Sequence, residues 1–292
     1  MVPTIDSSPT ETHPLSQAAA PAPLPKLDFF ILGAGRCGTS SLYAMLCQHP
    51  QLFLPSEKEP SFFSQGFQVV KTHREYAALY TAAQPGQLLG DASHVYLTNP
   101  GTAKLLQQRY PNARFILIFR PPAERAFSLY HFMRRHQLDP LPTFEMALKA
   151  EPERKARYIA SGEAPHYIYN FLYRESGLFG RQVARYLDLF PQSQFHFLTL
   201  SQLHNRPRGS VKDIFRFLGV DESFAVQPIW INQSPHIRRK FSFLRKSSWA
   251  SGLTRRPSPL HVPPMCPHTR AQLDSYFQPD GQLLYQLTGI TL

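Results

Sequence analysis

Several common protein classes are excluded by what this chain has little of. Only three of its 292 residues are cysteine, Cys37, Cys47 and Cys266, and no two of them stand in C-x-x-C spacing. So odd and sparse a set argues against a disulfide framework and against a zinc site. No apolar run reaches the roughly 18 residues that a membrane-spanning helix needs, so no transmembrane segment is expected. Residues 1–26 carry six prolines with many Ser, Thr and Ala, and they lack both a basic start and an apolar h-region. They read as a disordered, flexible tail rather than a signal peptide, and a cytoplasmic location is the expectation. Acidic residues are also few, 20 against 31 Lys and Arg. The formal charge of +11 and the pI of about 9.7 predict an anionic partner: nucleotide, nucleic acid, acidic glycan or membrane surface. Repeats, EF-hand or zinc spacings of carboxylates and histidines, and recognised nucleic-acid motifs are all missing from the chain, so neither a metal nor a nucleic acid is expected.

What is present begins with Phe29 to Leu42, Phe-Phe-Ile-Leu-Gly-Ala-Gly-Arg-Cys-Gly-Thr-Ser-Ser-Leu. An apolar strand runs into a glycine-bearing loop and then into a hydroxyl-rich helix start. Gly33, Gly35 and Gly38 let the backbone bend close to a ligand, and the first helical N–H groups from about Thr39 have no intrahelical partner, which makes an anion cradle. The nucleotide-binding form G-x-x-x-x-G-K-[ST] places a lysine after the last glycine. Here Gly33 and Gly38 keep that spacing, but Thr39 takes the lysine position and the loop's one cation is Arg36. Arg36 followed by Thr39, Ser40 and Ser41 still favours a phosphate-like ligand. Cys37 reads as a small side chain within the cradle, with no histidine beside it to make it a nucleophile.

The pattern of strand, turn and helix returns at Ala113 to His136. Phe115 to Phe119 is continuously apolar and suits a buried parallel strand; it ends on Arg120, Pro121-Pro122 breaks it, and a helix over Ala123 to His136 carries Ser128. In an open parallel sheet, ligands sit beyond the carboxyl ends of the strands, so Arg36 and Arg120 are expected to face one crevice. Further strands are predicted near Gln51 to Leu54, before Tyr96 and over Gln194 to Leu200. Helices are predicted over Thr39 to Gln48, His73 to Ala83, Asn99 to Tyr110, Gly177 to Phe190, Ser210 to Leu218, Pro267 to Phe277 and Gly281 to Leu287. The alternation predicts a single α/β domain over residues 27–292 with a P-loop-like parallel sheet flanked by helices. Residues 235–265, rich in Arg, Lys, Phe and Pro, read as a basic surface loop or a lid.

These segments resemble a known family. Gly33 to Leu42 is similar to the 5′-phosphosulfate loop of sulfotransferases that use 3′-phosphoadenylyl sulfate (PAPS), and Phe115 to His131 is similar to that family's 3′-phosphate segment. Lys58-Glu59-Pro60-Ser61-Phe62-Phe63 resembles the K-E-x-x-F-F segment of the bacterial and heparan-sulfate-type members, and the chain from Thr269 onward is similar to their tail. The resemblance implies a sulfotransferase that takes PAPS as co-substrate without a metal and delivers the sulfuryl group to a hydroxyl or amine of a carbohydrate or small-molecule acceptor. It also implies that Arg36 and the cradle residues Cys37, Gly38, Thr39, Ser40 and Ser41 hold the 5′ end of the donor. Arg120 and Ser128 would hold its 3′-phosphate, and Glu59 would be the general base, its pKa raised by partial burial. Three places depart from the family pattern: Ala92 stands where many relatives carry lysine, Ser61 where heparan-type enzymes often carry histidine, and Phe179 where many carry tyrosine. His73 in Lys71-Thr72-His73 is a rival base, by likeness to the cytosolic sulfotransferases. A P-loop kinase-like enzyme and a non-catalytic polyanion-binding protein are the alternatives.

Overall fold

The computed structural model describes residues 23–164, 166–231 and 264–292. The apolar runs become strands: β1 (Phe29–Gly33), β2 (Leu52–Phe53), β3 (Leu88–Ala92), β4 (Arg114–Phe119) and β5 (Phe195–Thr199). They form one sheet in the order β2-β3-β1-β4-β5, with every neighbouring pair parallel. Helices cover both faces, which is why β1 and nearly all of β4 are buried and read as unbroken apolar runs rather than alternating ones. The fold is α/β with a P-loop-like parallel sheet, as the sequence predicts.

The connecting helices are α1 (Thr39–Leu46), α2 (His73–Ala78), α3 (Val95–Thr98), α4 (Thr102–Arg109), α5 (Pro122–Arg135), α6 (Phe144–Lys149), α7 (Glu151–Ser161), α8 (Phe179–Leu187), α9 (Leu200–Asn205), α10 (Pro207–Leu218) and α11 (Pro267–Thr288). Strand order decides where function can sit. β1 lies between β3 and β4, with Phe30 beside both Asp91 and Phe115. The strand ends Gly33, Ala92 and Phe119 therefore open on the same edge of the sheet, and the three loops that follow them share one crevice.

Two stretches differ from the sequence reading. The predicted pair of C-terminal helices is one helix, α11, with Pro279 and Gly281 inside it. Proline removes one N–H and crowds the preceding turn, but tertiary contact overrides this. The Asp280 carboxylate accepts the N–H groups of Gly180 and Arg181 at 2.7 and 2.9 Å, capping α8 and holding the two helices together. A Cβ on Gly180 would lie 2.5 Å from the Asp280 carbonyl oxygen, so only glycine lets the backbones come this close. The helix expected from Asn99 begins instead at Thr102, because Asn99 ends the unforeseen α3 and its Oδ1 accepts the Gly101 N–H at 3.0 Å. Residues 1–22 of the predicted tail and residues 235–263 of the basic segment lie outside the described residues. Among the described residues no helix is long and apolar enough to cross a membrane.

Candidate active site

The loop from Ala34 to Gly38 is shaped by three fixed points. The Ala34 N–H donates to Ile118 O at 2.9 Å, tying the loop to β4, and the Cys37 N–H turns back to Ala34 O at 3.2 Å. Arg125, reaching from α5 and only 1 % exposed, donates from Nε to Gly35 O at 3.1 Å and from Nη1 to Ser176 Oγ at 2.5 Å. Burial lowers its pKa to about 10, so it remains cationic at neutral pH. Gly38, at φ 99°, is the N-cap of α1 and offers no side-chain cap. An α-helix start without a side-chain acceptor leaves donors for an anion from outside the helix.

Around this turn the expected donor-binding residues divide. Arg36, itself at φ 67°, sends Nε to within 3.4 Å of Ser128 Oγ and lays its guanidinium 4.7 Å from the centre of the Phe132 ring. Burial first, then repulsion from Arg135 and Arg120, brings its pKa down to about 10. Arg36 and Ser128, expected at opposite phosphates of one donor, thus meet each other. Arg120 bonds Glu124 Oε2 at 3.2 Å, and Glu124 in turn accepts from Arg270 of α11 at 3.3 Å. Thr39 opens α1, and Ser40 accepts a hydrogen bond from Lys58 Nζ at 3.3 Å. Two residues depart from expectation. The Ser41 hydroxyl is buried and accepts the Ile231 N–H at 2.9 Å, which turns it away from any donor. The Cys37 thiol lies in the core with its pKa pushed up to about 11 by burial, and its N–H is spent inside the turn, so Cys37 has no free group for the cradle.

Glu59 stands in the same crevice, its side chain 19 % exposed. Oε1 accepts from Lys58 Nζ at 3.0 Å, and Oε2 accepts the His94 backbone N–H at 3.1 Å together with a short contact to His94 Nδ1. Burial by itself would raise this carboxyl's pKa, but His94 and Lys58 together hold it well below the usual carboxylate range. That reverses the sequence expectation of a raised value. The segment bearing Glu59 is anchored from beneath: the Ser61 N–H donates to Ser93 Oγ at 3.0 Å, and Ser93 donates to Asp91 Oδ1 at 2.8 Å. Asp91 is fully buried, and its Oδ2 accepts from Tyr76 at 2.7 Å and Tyr96 at 2.8 Å.

His94, Lys58 and Arg125 are the members of the site that sequence reasoning passed over. Lys58 lies within the K-E-x-x-F-F segment, where only Glu59 drew attention, and His94 sits in a stretch read simply as a strand end. His73 lies in the first turn of α2 with its ring edge-on to Phe62 at 5.5 Å, and among the described residues it shares no hydrogen bond with the crevice. Among the described residues no three His, Cys, Asp or Glu side chains converge as a metal site.

Known proteins resemble this chain in fold and sequence. The chain is similar in structure to the sulfotransferase from Alicyclobacillus acidocaldarius, with a TM-score of 0.74 and 29 % identity over 92 % of this chain and 98 % of that one. It is 24 % identical to human heparan sulfate glucosamine 3-O-sulfotransferase 6 over 265 residues, covering 89 % of this chain and 71 % of the relative. It is 33 % identical over 135 residues to the membrane-associated sulfotransferase kil1 of Dictyostelium discoideum, covering 43 % of this chain; the match spans only 28 % of that protein's length. The family model described as the sulfotransferase domain matches residues 26–256, from just before β1 to well beyond β5, and a match of that extent makes the chain a member of the sulfotransferase family.

Proposed function

We propose that this protein transfers a sulfuryl group from PAPS to a hydroxyl or amine of a carbohydrate or small-molecule acceptor. The observation that carries the reading is the start of α1, which lacks a side-chain cap at Gly38 and has Arg36 and Lys58 drawn up around it from two different segments. Such a cradle fits a doubly charged 5′ group better than a neutral ligand. Thr39, Ser40, the first N–H groups of α1 and Lys58 would hold the 5′-phosphosulfate, while Arg120 and Ser128 would hold the 3′-phosphate, with Arg36 between the two.

When bound, the donor supplies a sulfuryl group on a phosphate that departs with negative charge. The protein's part is positioning and charge. Arg36 and Lys58 neutralise the departing phosphate, in the manner of the cations that govern phosphoryl transfer. An acceptor hydroxyl attacks only as its proton is removed, and the Glu59–His94 pair is the proton-accepting unit nearest the loop. Resemblance to heparan sulfate glucosamine 3-O-sulfotransferases supports a sugar hydroxyl as acceptor.

Calorimetry with adenosine 3′,5′-bisphosphate, and incubation of ³⁵S-labelled PAPS with a glucosamine-containing oligosaccharide, 4-nitrophenol and an amino sugar, test the reading. Tighter binding of magnesium ATP than of the bisphosphate would instead favour a kinase-like enzyme.

A further inference from the structure

We infer that His94 is a catalytic residue of this site, its Nε2 taking the proton from the acceptor hydroxyl, with Glu59 as the residue that positions the ring; the inference rests on the sulfuryl-transfer reading above.

Three observations lead there. First, Glu59 has little capacity left to act as a base. Its two carboxylate oxygens already accept from Lys58 Nζ, the His94 N–H and the His94 ring, and the two neighbouring groups hold its pKa low. Accepting a further proton would forfeit charge-assisted hydrogen bonds that the ionised carboxylate already makes. Second, the contact between Oε2 and Nδ1 fixes which ring nitrogen carries the proton. Nδ1–H points at a carboxylate, so Nε2 is the nitrogen that changes state, and among the described residues it has no hydrogen-bond partner. Third, the ring lies directly on the loop. A Cβ on Gly35 would sit 2.5 Å from His94 Cδ2 and 3.1 Å from both Cγ and Nε2, so the Cδ2 edge of the imidazole packs against the turn that would carry the phosphosulfate, with Nε2 at the end of that edge. Residue 61, two positions after Glu59, is a serine. The sheet order supplies an imidazole from β3's end instead.

The step balances without a further reactant. As the acceptor oxygen bonds to sulfur, its proton moves to His94 Nε2, and the bond from sulfur to the nucleotide's phosphate oxygen breaks with the electron pair left on the phosphate. The imidazolium is stabilised by Glu59 across Nδ1–H, in the arrangement that a carboxylate, a histidine and a hydroxyl nucleophile make in serine hydrolases. Other titratable groups bearing on the ring are Lys58, beside Glu59, and His166, whose own pKa is lowered by burial and by His94.

The test uses His94→Asn, whose amide can still donate to Glu59 but has no Nε2, together with His94→Ala and Glu59→Gln. Rates are followed from ³⁵S-labelled PAPS with the three acceptors named above, and with water as acceptor in their absence. The expectation is that His94→Asn binds adenosine 3′,5′-bisphosphate within about threefold of the parent, loses roughly 10²- to 10⁴-fold in kcat and lacks the acidic limb of the pH–rate profile. Added imidazole should partly restore His94→Ala, and Glu59→Gln should keep an acidic limb at a lower plateau. An acidic limb that survives in His94→Asn but vanishes in Glu59→Gln would make the carboxylate the base and overturn the inference. Loss of the basic limb in His94→Asn would overturn it too, since the ring would then be acting as a cation towards the departing phosphate. Failure of the unsubstituted protein to bind the bisphosphate would bring down the donor reading with it, whereas bisphosphate binding with turnover insensitive to His94 would overturn this inference alone.

Discussion

Arg36 Nε and Ser128 Oγ, 92 residues apart in sequence, lie 3.4 Å from each other across the mouth of the crevice. They belong to the loop after β1 and to the helix after β4, and those strands are adjacent. The contact links the two halves of the proposed donor site, so a change in one half is felt in the other.

Ser128→Ala should therefore weaken binding of adenosine 3′,5′-bisphosphate roughly 10- to 150-fold, the equivalent of a lost hydrogen bond to a charged group, about 1.5–3 kcal/mol. Combined with Arg36→Ala, the losses should fall short of their sum by at least about 0.5 kcal/mol, because each substitution already removes the shared contact. Isothermal titration of the two single variants and the double variant measures this. Strict additivity would mean that the two residues act on the ligand independently.

Arg125 offers a second test, of the loop rather than of the ligand. Its guanidinium bridges Gly35 O and Ser176 Oγ from a buried position, a fork that a lysine ammonium cannot reproduce. Arg125→Lys leaves one of the two acceptors unpaired and should cost about 1–3 kcal/mol of stability in urea unfolding. Bisphosphate affinity should fall with it, because the Gly35 carbonyl sets the shape of the turn. A variant with parental stability and affinity would show that the loop holds its shape without the bridge.

How much of this was legible in the sequence depended on how local the physics was. Gly33 to Ser41 and Phe115 to Ser128 are continuous segments whose glycines, apolar runs and hydroxyls declare strand, turn and helix start directly, and both were placed correctly on the sheet. The contacts of Glu59 were not legible. Its partner His94 lies 35 residues away, and the two meet because β2, which leads to Glu59, pairs in parallel with β3, which leads to His94, a pairing that no local pattern encodes. The same holds for Ser41, whose residue type suggested a phosphate contact but whose hydroxyl is taken by Ile231, 190 residues on. Residues 278–280 fall between two predicted helices, yet α11 runs through them with Pro279 inside it, held by the Asp280 contact with Gly180 and Arg181 some 100 residues earlier.

Asp91 makes stability depend on pH in a direction that can be measured. Burial, opposed in part by hydrogen bonds from Tyr76, Ser93 and Tyr96, raises its pKa to about 6, against about 3.9 for an ordinary aspartate. Between those values the folded protein holds a proton that the unfolded chain has released. Stability from this group is thus fully present below about pH 4 and declines as pH rises through about 6, by on the order of 3 kcal/mol in all. Asp91→Asn cannot ionise, so the parent's advantage over it should shrink by an amount of that order between pH 4 and 7. The depressed carboxyl of Glu59 acts with opposite sign, adding stability above its ordinary pKa that is lost as pH falls below it. It is present in both proteins and largely cancels in the comparison. Urea unfolding of both proteins across this range is the measurement, and a constant difference would mean that Asp91 is ionised throughout.

Gly35 and His94 allow the tightest test of the site's geometry. The ring cannot yield to a new Cβ at 2.5 Å by flexing its far end, because Glu59 holds its Nδ1 side and its backbone N–H. Gly35→Ala should therefore cost about 1–3 kcal/mol, as overpacking does elsewhere, and should reduce turnover by displacing the imidazole from the loop. In a His94→Ala background the obstructing ring is gone, so the same substitution at position 35 should cost almost nothing in stability. The four proteins form a cycle read by urea unfolding. If Gly35→Ala were equally destabilising in both backgrounds, the clash would lie with some other neighbour of the loop, and the placement of His94 against Gly35 would be wrong.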